Sequence, residues 1–283
     1  MTAIEWKAFP YEAKDYGYEG AALERAWPEL HRGVCEPFPD AQFVKQAFTR
    51  HPKLKGKLDA EKTAAALQSA WRAYHRGDFA AAVAEGTALG LIGANVANKA
   101  ANIYATYLET DGERKREILL QSAGRAEALQ AAAPDFVNAY YFHAQALGRY
   151  SQEISIVKAL AQGIGGRVKA SLDKAIGLEP NHADAHIALG SYHAEVVSKV
   201  GAMLAKLTYG ASKEEALKHF ALARKLLPDS AIARIEEANG LVMLFGKAKL
   251  AEAEKLYEEA ARCKPADAMQ KLDAERAREE AEG

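Results

Sequence analysis

Three stretches of this chain end in the same way: KASLDKAIGLEP, EALKHFALARKLLP and AEKLYEEAARCKP, closing at Pro180, Pro228 and Pro265. In each, a leucine or aromatic residue (Leu172, Phe220, Tyr257) precedes an alanine (Ala175, Ala223, Ala260) by three positions, and the proline stands five positions further on. A spacing of three is helical, alanine lets a neighbouring helix come close, and proline stops the helix. A unit of this kind cannot bury its apolar face alone, so successive units must stack.

The pattern resembles the second helix of a tetratricopeptide repeat, a helical hairpin of about 34 residues. The resemblance implies an all-α, tetratricopeptide-like helical-hairpin solenoid of about four hairpins, with no strands. Such a superhelix presents an extended groove, and grooves of this kind bind other polypeptides.

Composition narrows the partner. With 37 basic against 38 acidic residues the formal net charge is -1, so no basic surplus points to nucleic acid or an anionic membrane. No stretch approaches 18 uninterrupted apolar residues, and no membrane insertion is expected. Cys35 and Cys263 form neither metal nor redox spacing, which favours structural thiols in a reducing compartment. The first residues, MTAIEWKAFPYEAKDYGYEG, place acidic and aromatic side chains where a signal peptide needs a basic start and an apolar run, so a cytoplasmic location is expected.

Three segments are distinguishable. Residues 1–58 hold five of the nine prolines and nine of the 24 aromatics, which predicts an irregular arm with one or two short helices covering the first repeat. Residues 59–265 read as the solenoid. Asp59 is placed to cap a helix running to Arg76 with Leu67, Ala70, Trp71 and Tyr74 on one stripe, and Asp78 to cap the next. Further helices follow near Val96–Leu108 and Arg114–Ala132, Asp135, Asn181 and Asp229 are candidate caps after their prolines, and Ser212 with Glu215 reads as a capping box. Residues 266–283 form a charged tail or capping helix.

Pro134, Pro180 and Pro228 mark two units of 46 and 48 residues, about 12 and 14 longer than a standard repeat. At 1.5 Å per residue each excess could lengthen a helix by roughly 18 to 21 Å. Both insertions are apolar at helical spacing, with Ile154, Val157, Leu160 and Ile164 in the first and Val196, Val200, Met203 and Leu207 in the second. These hydrophobic extensions are expected to meet at one end of the stack, Leu160 facing Val200, or to wall a pocket or an oligomer interface. A homo-oligomer is compatible with that pattern.

Chemistry is sparse. Gly163–Gly166 follows a helical pattern and lacks the Gly-Lys-Ser/Thr of a phosphate loop. His182, His186 and His193 share one helical face, the only arrangement suggesting a metal-dependent enzyme, yet His186 and His193 fall where large residues fill a hairpin. A buried, hydrogen-bonded role is therefore expected, with no metal, cofactor or catalytic residue assigned. The second, fifth and ninth positions of each first helix should line the concave surface: Asn138, Tyr141 and Gln145; Asp184, Ile187 and Ser191; Ile232, Ile235 and Asn239. Gly148, Ala194 and Val242 follow at the twelfth.

The runs KREILLQSAGRAEALQAAAPDFVNAYYFHAQALGRYSQE, GGRVKASLDKAIGLEPNHADAHIALGSY and YGASKEEALKHFALARKLLPDS together resemble the tetratricopeptide core of the regulator of microtubule dynamics proteins and their bacterial relatives. After ALGSY this chain continues HAEVVSKVG, without the family's tryptophan-bearing stretch. The resemblance implies a helical adaptor, a non-enzymatic scaffold that binds another protein or peptide. A fainter similarity, to the helical T-component of TRAP transporters, implies instead a transporter-associated component binding a partner protein or small ligand.

Overall fold

The computed structural model describes residues 5–282. They divide into two compact units, one holding the chain up to His31 together with Glu36–Lys174, the other Arg32–Cys35 together with the chain from Ala175 onward. No strand occurs among the described residues.

The first unit opens with two short helices, α1 (Ala22–Leu30) and α2 (Ala41–Arg50). Paired helices follow: α3 (Ala60–His75) with α4 (Phe79–Ala88), α5 (Ala94–Tyr107) with α6 (Gly112–Ala132), and α7 (Val137–Gln152). The second or B helix of each pair also touches the first or A helix of the next, and the A helices α3, α5 and α7 touch in succession and form an inner layer. Asp59, Asp78 and Asp111 each accept a backbone N–H at the start of α3, α4 and α6, satisfying donors the first turn leaves open. The stripe Leu67, Ala70, Trp71 and Tyr74 is buried, as its spacing predicts.

The N-terminal arm is fastened to this stack by aromatic rings and backbone hydrogen bonds. Trp6 lies 4.3 Å from Tyr104, and the Tyr104 hydroxyl accepts from Lys7 N. Trp27 meets Trp71 edge-on at 5.6 Å, and Arg72 donates to the carbonyls of Tyr18 and Gly20. Gly77, at φ +86, takes a backbone conformation that glycine tolerates best, and a Cβ there would collide with Phe9.

The insertion after α7 does not lengthen that helix. Ser155 caps a separate short helix, α8 (Ile156–Ala161), and Gly163, at φ +61, breaks the chain before α9 (Ile164–Leu178), within which the division between units falls. The second unit shows the same device: α10 (Ala183–Val200) stops at Gly201, φ +81, and α11 (Ala202–Tyr209) ends on left-handed Gly210. Left-handed glycines turned two anticipated long helices into four shorter ones. The apolar stripes are also largely at the surface. Val157 and Leu160 are 77% and 50% exposed, Met203 and Leu207 77% and 78%, while Ile154, Val196 and Val200 are half-buried and only Ile164 is buried.

The second unit continues with α12 (Lys213–Leu226), α13 (Ala231–Phe245), α14 (Leu250–Ala261) and α15 (Ala268–Glu282). The A helix α10 touches α12 and α13, α13 touches α14, and α15 covers α14 with Leu272, Ala274 and Ala277 buried. Contacting first and second helices α3 with α4, α5 with α6, α10 with α12 and α13 with α14 give hairpins in both units, in line with the roughly four expected. Ser212 caps α12 as expected, but the caps after the prolines sit one residue later than predicted. His182 and Ser230 accept the first-turn N–H groups of α10 and α13, because the proline and the residue after it form the turn. Asp135 pairs instead with Arg50 and His51.

Phe220 is the large side chain at the centre of this unit, and it is buried between two glycines. A Cβ on Gly190 would lie 2.7 Å from the Phe220 ring, and one on Gly240 would lie 2.5 Å from it on the other side. Gly190→Ala should therefore lower stability by about 1 to 3 kcal/mol through overpacking, despite alanine's better helix propensity. Thermal unfolding of the variant checks this, and Gly190→Ala/Phe220→Leu should recover part of the loss.

Candidate protein-interaction groove

The inner helices of the first unit repeat their polar residues at matching positions. Asn95, Asn98 and Asn102 are the second, fifth and ninth residues of α5, where α7 carries Asn138, Tyr141 and Gln145. The two helices lie side by side in the inner layer, so equivalent positions become neighbours on one wall. At the ninth position the pair is closed: Asn102 Nδ2 donates to Gln145 Oε1 at 3.0 Å and to the Phe142 carbonyl at 3.1 Å. Tyr141 is buried, its hydroxyl 3.5 Å from Gln145 Nε2.

At the second position both asparagines hold the same carboxylate. Asn95 Nδ2 donates to the two oxygens of Glu36 at 3.2 and 3.1 Å, and Asn138 Nδ2 donates to Oε2 at 2.5 Å. Burial pushes the Glu36 carboxyl above its ordinary range, while the two amide donors and the nearby Lys99 charge pull it back down. Lys99 is itself buried, its Nζ 5.2 Å from the Tyr74 ring centre and 6.0 Å from that of Trp71. His31, stacked on Trp27 at 3.7 Å, stands 3.2 Å from His75 through their Nε2 atoms, and burial holds it well below the usual imidazole range, helped by Lys99 and His75.

Along α5 the amides are not fully paired. Asn98 Oδ1 accepts from Arg125 Nε at 2.9 Å, but its Nδ2 has no partner, nor do Asn95 Oδ1 and Asn102 Oδ1, although all three atoms are buried. None of the α5 residues, nor Glu36, was anticipated from the repeat pattern. The signal was nevertheless present: ANVANKAAN places three asparagines at i, i+3 and i+7, one face of a helix otherwise rich in alanine.

In the second unit the expected groove residues are mostly engaged. Ile187 is buried with Ala223 and Ala233, beside half-buried Ile232, and Ile235 is buried with Ala260 and Ala277. Ser191 donates to Glu236 at 2.9 Å, and Asn239 accepts from the Tyr257 hydroxyl at 2.6 Å. Asp184 N donates to the Gly33 carbonyl at 3.0 Å, with its carboxylate so close that a Cβ on Gly33 would collide with it. Isoleucines at the fifth position turn into the hairpin, and this is why they do not line a surface.

The three histidines do not converge. His182 Nδ1 accepts the Ala185 N–H as the cap of α10, and the ring nitrogens of His186 meet His219 Nδ1 at 2.8 Å and the Pro180 carbonyl at 3.0 Å. His193 stacks on His219 at 5.9 Å between ring centres. Neither thiol is poised as a nucleophile: partial burial, then Glu179 and Asp184, push Cys35 up to about 11, and burial raises Cys263.

The family described as regulator of microtubule dynamics protein 1-3 matches residues 93–282, the greater part of the chain. The chain belongs to this family. Within the family region lie α5 to α15, and hence Asn95 and Asn138, whereas Glu36 and the arm precede it. No curated protein sequence matches the chain. Among solved structures it is similar to a thermophilic TPR protein of Thermus thermophilus, 15% identical, over 76% of this chain and 98% of that one, with a TM-score of 0.55. At that identity the likeness shows the fold: this family member is a tetratricopeptide-like helical repeat protein. Among its described residues no helix is long and apolar enough to cross a membrane.

His219 makes stability depend on pH. Burial first, then the neighbouring His186 and His193, lower it from 6.5 to about 4. Between those values the unfolded chain binds a proton that the folded chain refuses, so stability falls as pH drops from 6.5 toward 4 and is unaffected above that window. Denaturation midpoints measured across the window should show this loss, and His219→Gln should flatten it.

Proposed function

We propose that the protein is a non-enzymatic adaptor that binds another polypeptide along the inner face of its A helices. The observation that carries this reading is the polar seam between α5 and α7, where Asn95 stands with Asn138 and Asn102 with Gln145 at matching positions and Asn95 Oδ1 is left without a partner. An unpaired buried polar atom costs about 1 to 3 kcal/mol. A core evolved only for packing would carry apolar side chains there, as the fifth positions of α10 and α13 do with Ile187 and Ile235. Side-chain amides offer a donor and an acceptor together, the complement of a peptide bond.

The same reading puts the protein in the cytoplasm and gives the histidines and thiols structural work. His182, His186 and His219 are spent on a helix cap and mutual hydrogen bonds, and the cysteines are held in the thiol form. Asp184, Ser191 and Asn239 are contact candidates within the second unit by themselves, and the exposed extension residues Val157, Leu160, Met203 and Leu207 are secondary contact candidates.

Peptides selected from a displayed random library on the full chain should bind the groove. Their affinity should fall at least tenfold, about 1.4 kcal/mol, in Asn138→Leu/Gln145→Leu. Folding of the variant is checked by circular dichroism. Unchanged affinity of every selected peptide would place binding elsewhere and end the groove assignment.

A further inference from the structure

Residues 36–40 are non-helical, and within the first unit this segment is bound as a peptide ligand would be. Its carboxylate, on Glu36, sits between Asn95 and Asn138. Its backbone is read twice: the Glu36 carbonyl accepts from Trp27 Nε1 at 2.7 Å, and the Pro39 carbonyl accepts from Gln68 Nε2 at 3.1 Å. Pro39 is buried, and Phe38 meets the Trp27 ring edge-on at 5.2 Å. The asparagines holding the carboxylate occupy the same position of successive A helices, which is how a repeat surface presents its ligand contacts.

We infer that the α5 and α7 wall is a receptor for acidic extended polypeptide segments, and that the Glu36 side chain occupies it in cis as a displaceable latch, its own segment being held by Trp27 and by Gln68 of α3. The occupant already present states the chemistry of the partner: a glutamate or aspartate carboxylate for the two asparagine amides, with Lys99 supplying positive charge nearby. One acceptor on the wall is left unanswered by this occupant. Asn95 gives its amide protons to Glu36 while its buried Oδ1 has no donor, and an incoming backbone N–H supplies one. The receptor residues lie inside the family region, from residue 93 onward, and the latch lies outside it.

This inference rests on the adaptor reading and adds to it the need for a carboxylate. The probe is an acetylated, amidated hexapeptide copying residues 36–41, with a counterpart carrying glutamine in place of its glutamate. NMR titrations are run on the full wild-type chain, on Glu36→Gln, and on Glu36→Gln with Asn95→Leu and Asn138→Leu. Glu36→Gln preserves side-chain size, and Glu36→Ala serves if it fails to fold. The acidic peptide should bind Glu36→Gln at least tenfold more tightly than wild type, at least tenfold more tightly than the glutamine peptide does, and lose that preference in the triple variant. Proteolysis of wild type within residues 36–40 should accelerate as acidic peptide is added.

Equal affinity of the two peptides, or no saturable binding to Glu36→Gln, overturns the inference. If library-selected peptides still depend on Asn138 and Gln145, the adaptor reading survives that failure. If they do not, both fall.

Discussion

Close approach between helices is the constraint on which the rest of this structure depends. The second helix of a hairpin can touch both its own first helix and the next only where a very small side chain stands at the crossing. Ala223 meets Ile187 and Ala233 in this way, and Ala260 meets Ala231, Ile235 and Ala277. Backbones brought this near leave little volume between them, so each layer holds few large side chains. Phe220, between two glycines, and Trp71 with Tyr74 are such fillers, and replacing any of them changes a whole layer.

Close approach also sets what the inner helices can display. Once α3, α5 and α7 are adjacent, side chains at matching positions stand next to one another, and a choice made at one position is repeated along the wall. Isoleucine at the fifth position closes α10 and α13 on their own hairpins, whereas asparagine at the second and ninth positions of α5 creates a polar seam. The arm lies over that stack in the first unit. Its aromatic residues supply the apolar cover that an end repeat otherwise lacks, and Glu36 supplies a partner for the seam.

The fold was legible because its determinants are local. Alanine three residues after a large side chain, proline five later, and the aspartates at 59 and 78 each act within one or two turns. What stayed illegible depends on distance or on backbone torsion. The insertions read as helix by their apolar spacing, but Gly163 and Gly201 adopt left-handed angles that spacing does not encode, and the helices break there. Cap positions shifted by one because proline and its successor both belong to the turn. On the inner wall, the repeat register pointed to Asn138 and Gln145 at the second and ninth positions of α7. It did not point to their partners Asn95, Asn102 and Glu36, since α5 lacks the proline that marks the later repeats and Glu36 is 102 residues from Asn138.

The energetics of Glu36 explain how such a seam can be both covered and available. Partial burial pushes the Glu36 carboxyl above its ordinary range, and the amide hydrogen bonds of Asn95 and Asn138 with the neighbouring Lys99 ammonium pull it back down. The contact persists because the arm is tethered: Trp6, Trp27 and Arg72 fasten it to the same unit, and tethering raises the effective concentration of Glu36 to roughly the millimolar range. A segment arriving from another molecule has no tether, but it meets the same asparagines with freedom to place a backbone N–H on Asn95 Oδ1, which the arm's own geometry leaves unanswered. A cover whose carboxylate sits on two side-chain amides is the kind that a better-matched ligand can displace without unfolding the helices beneath it.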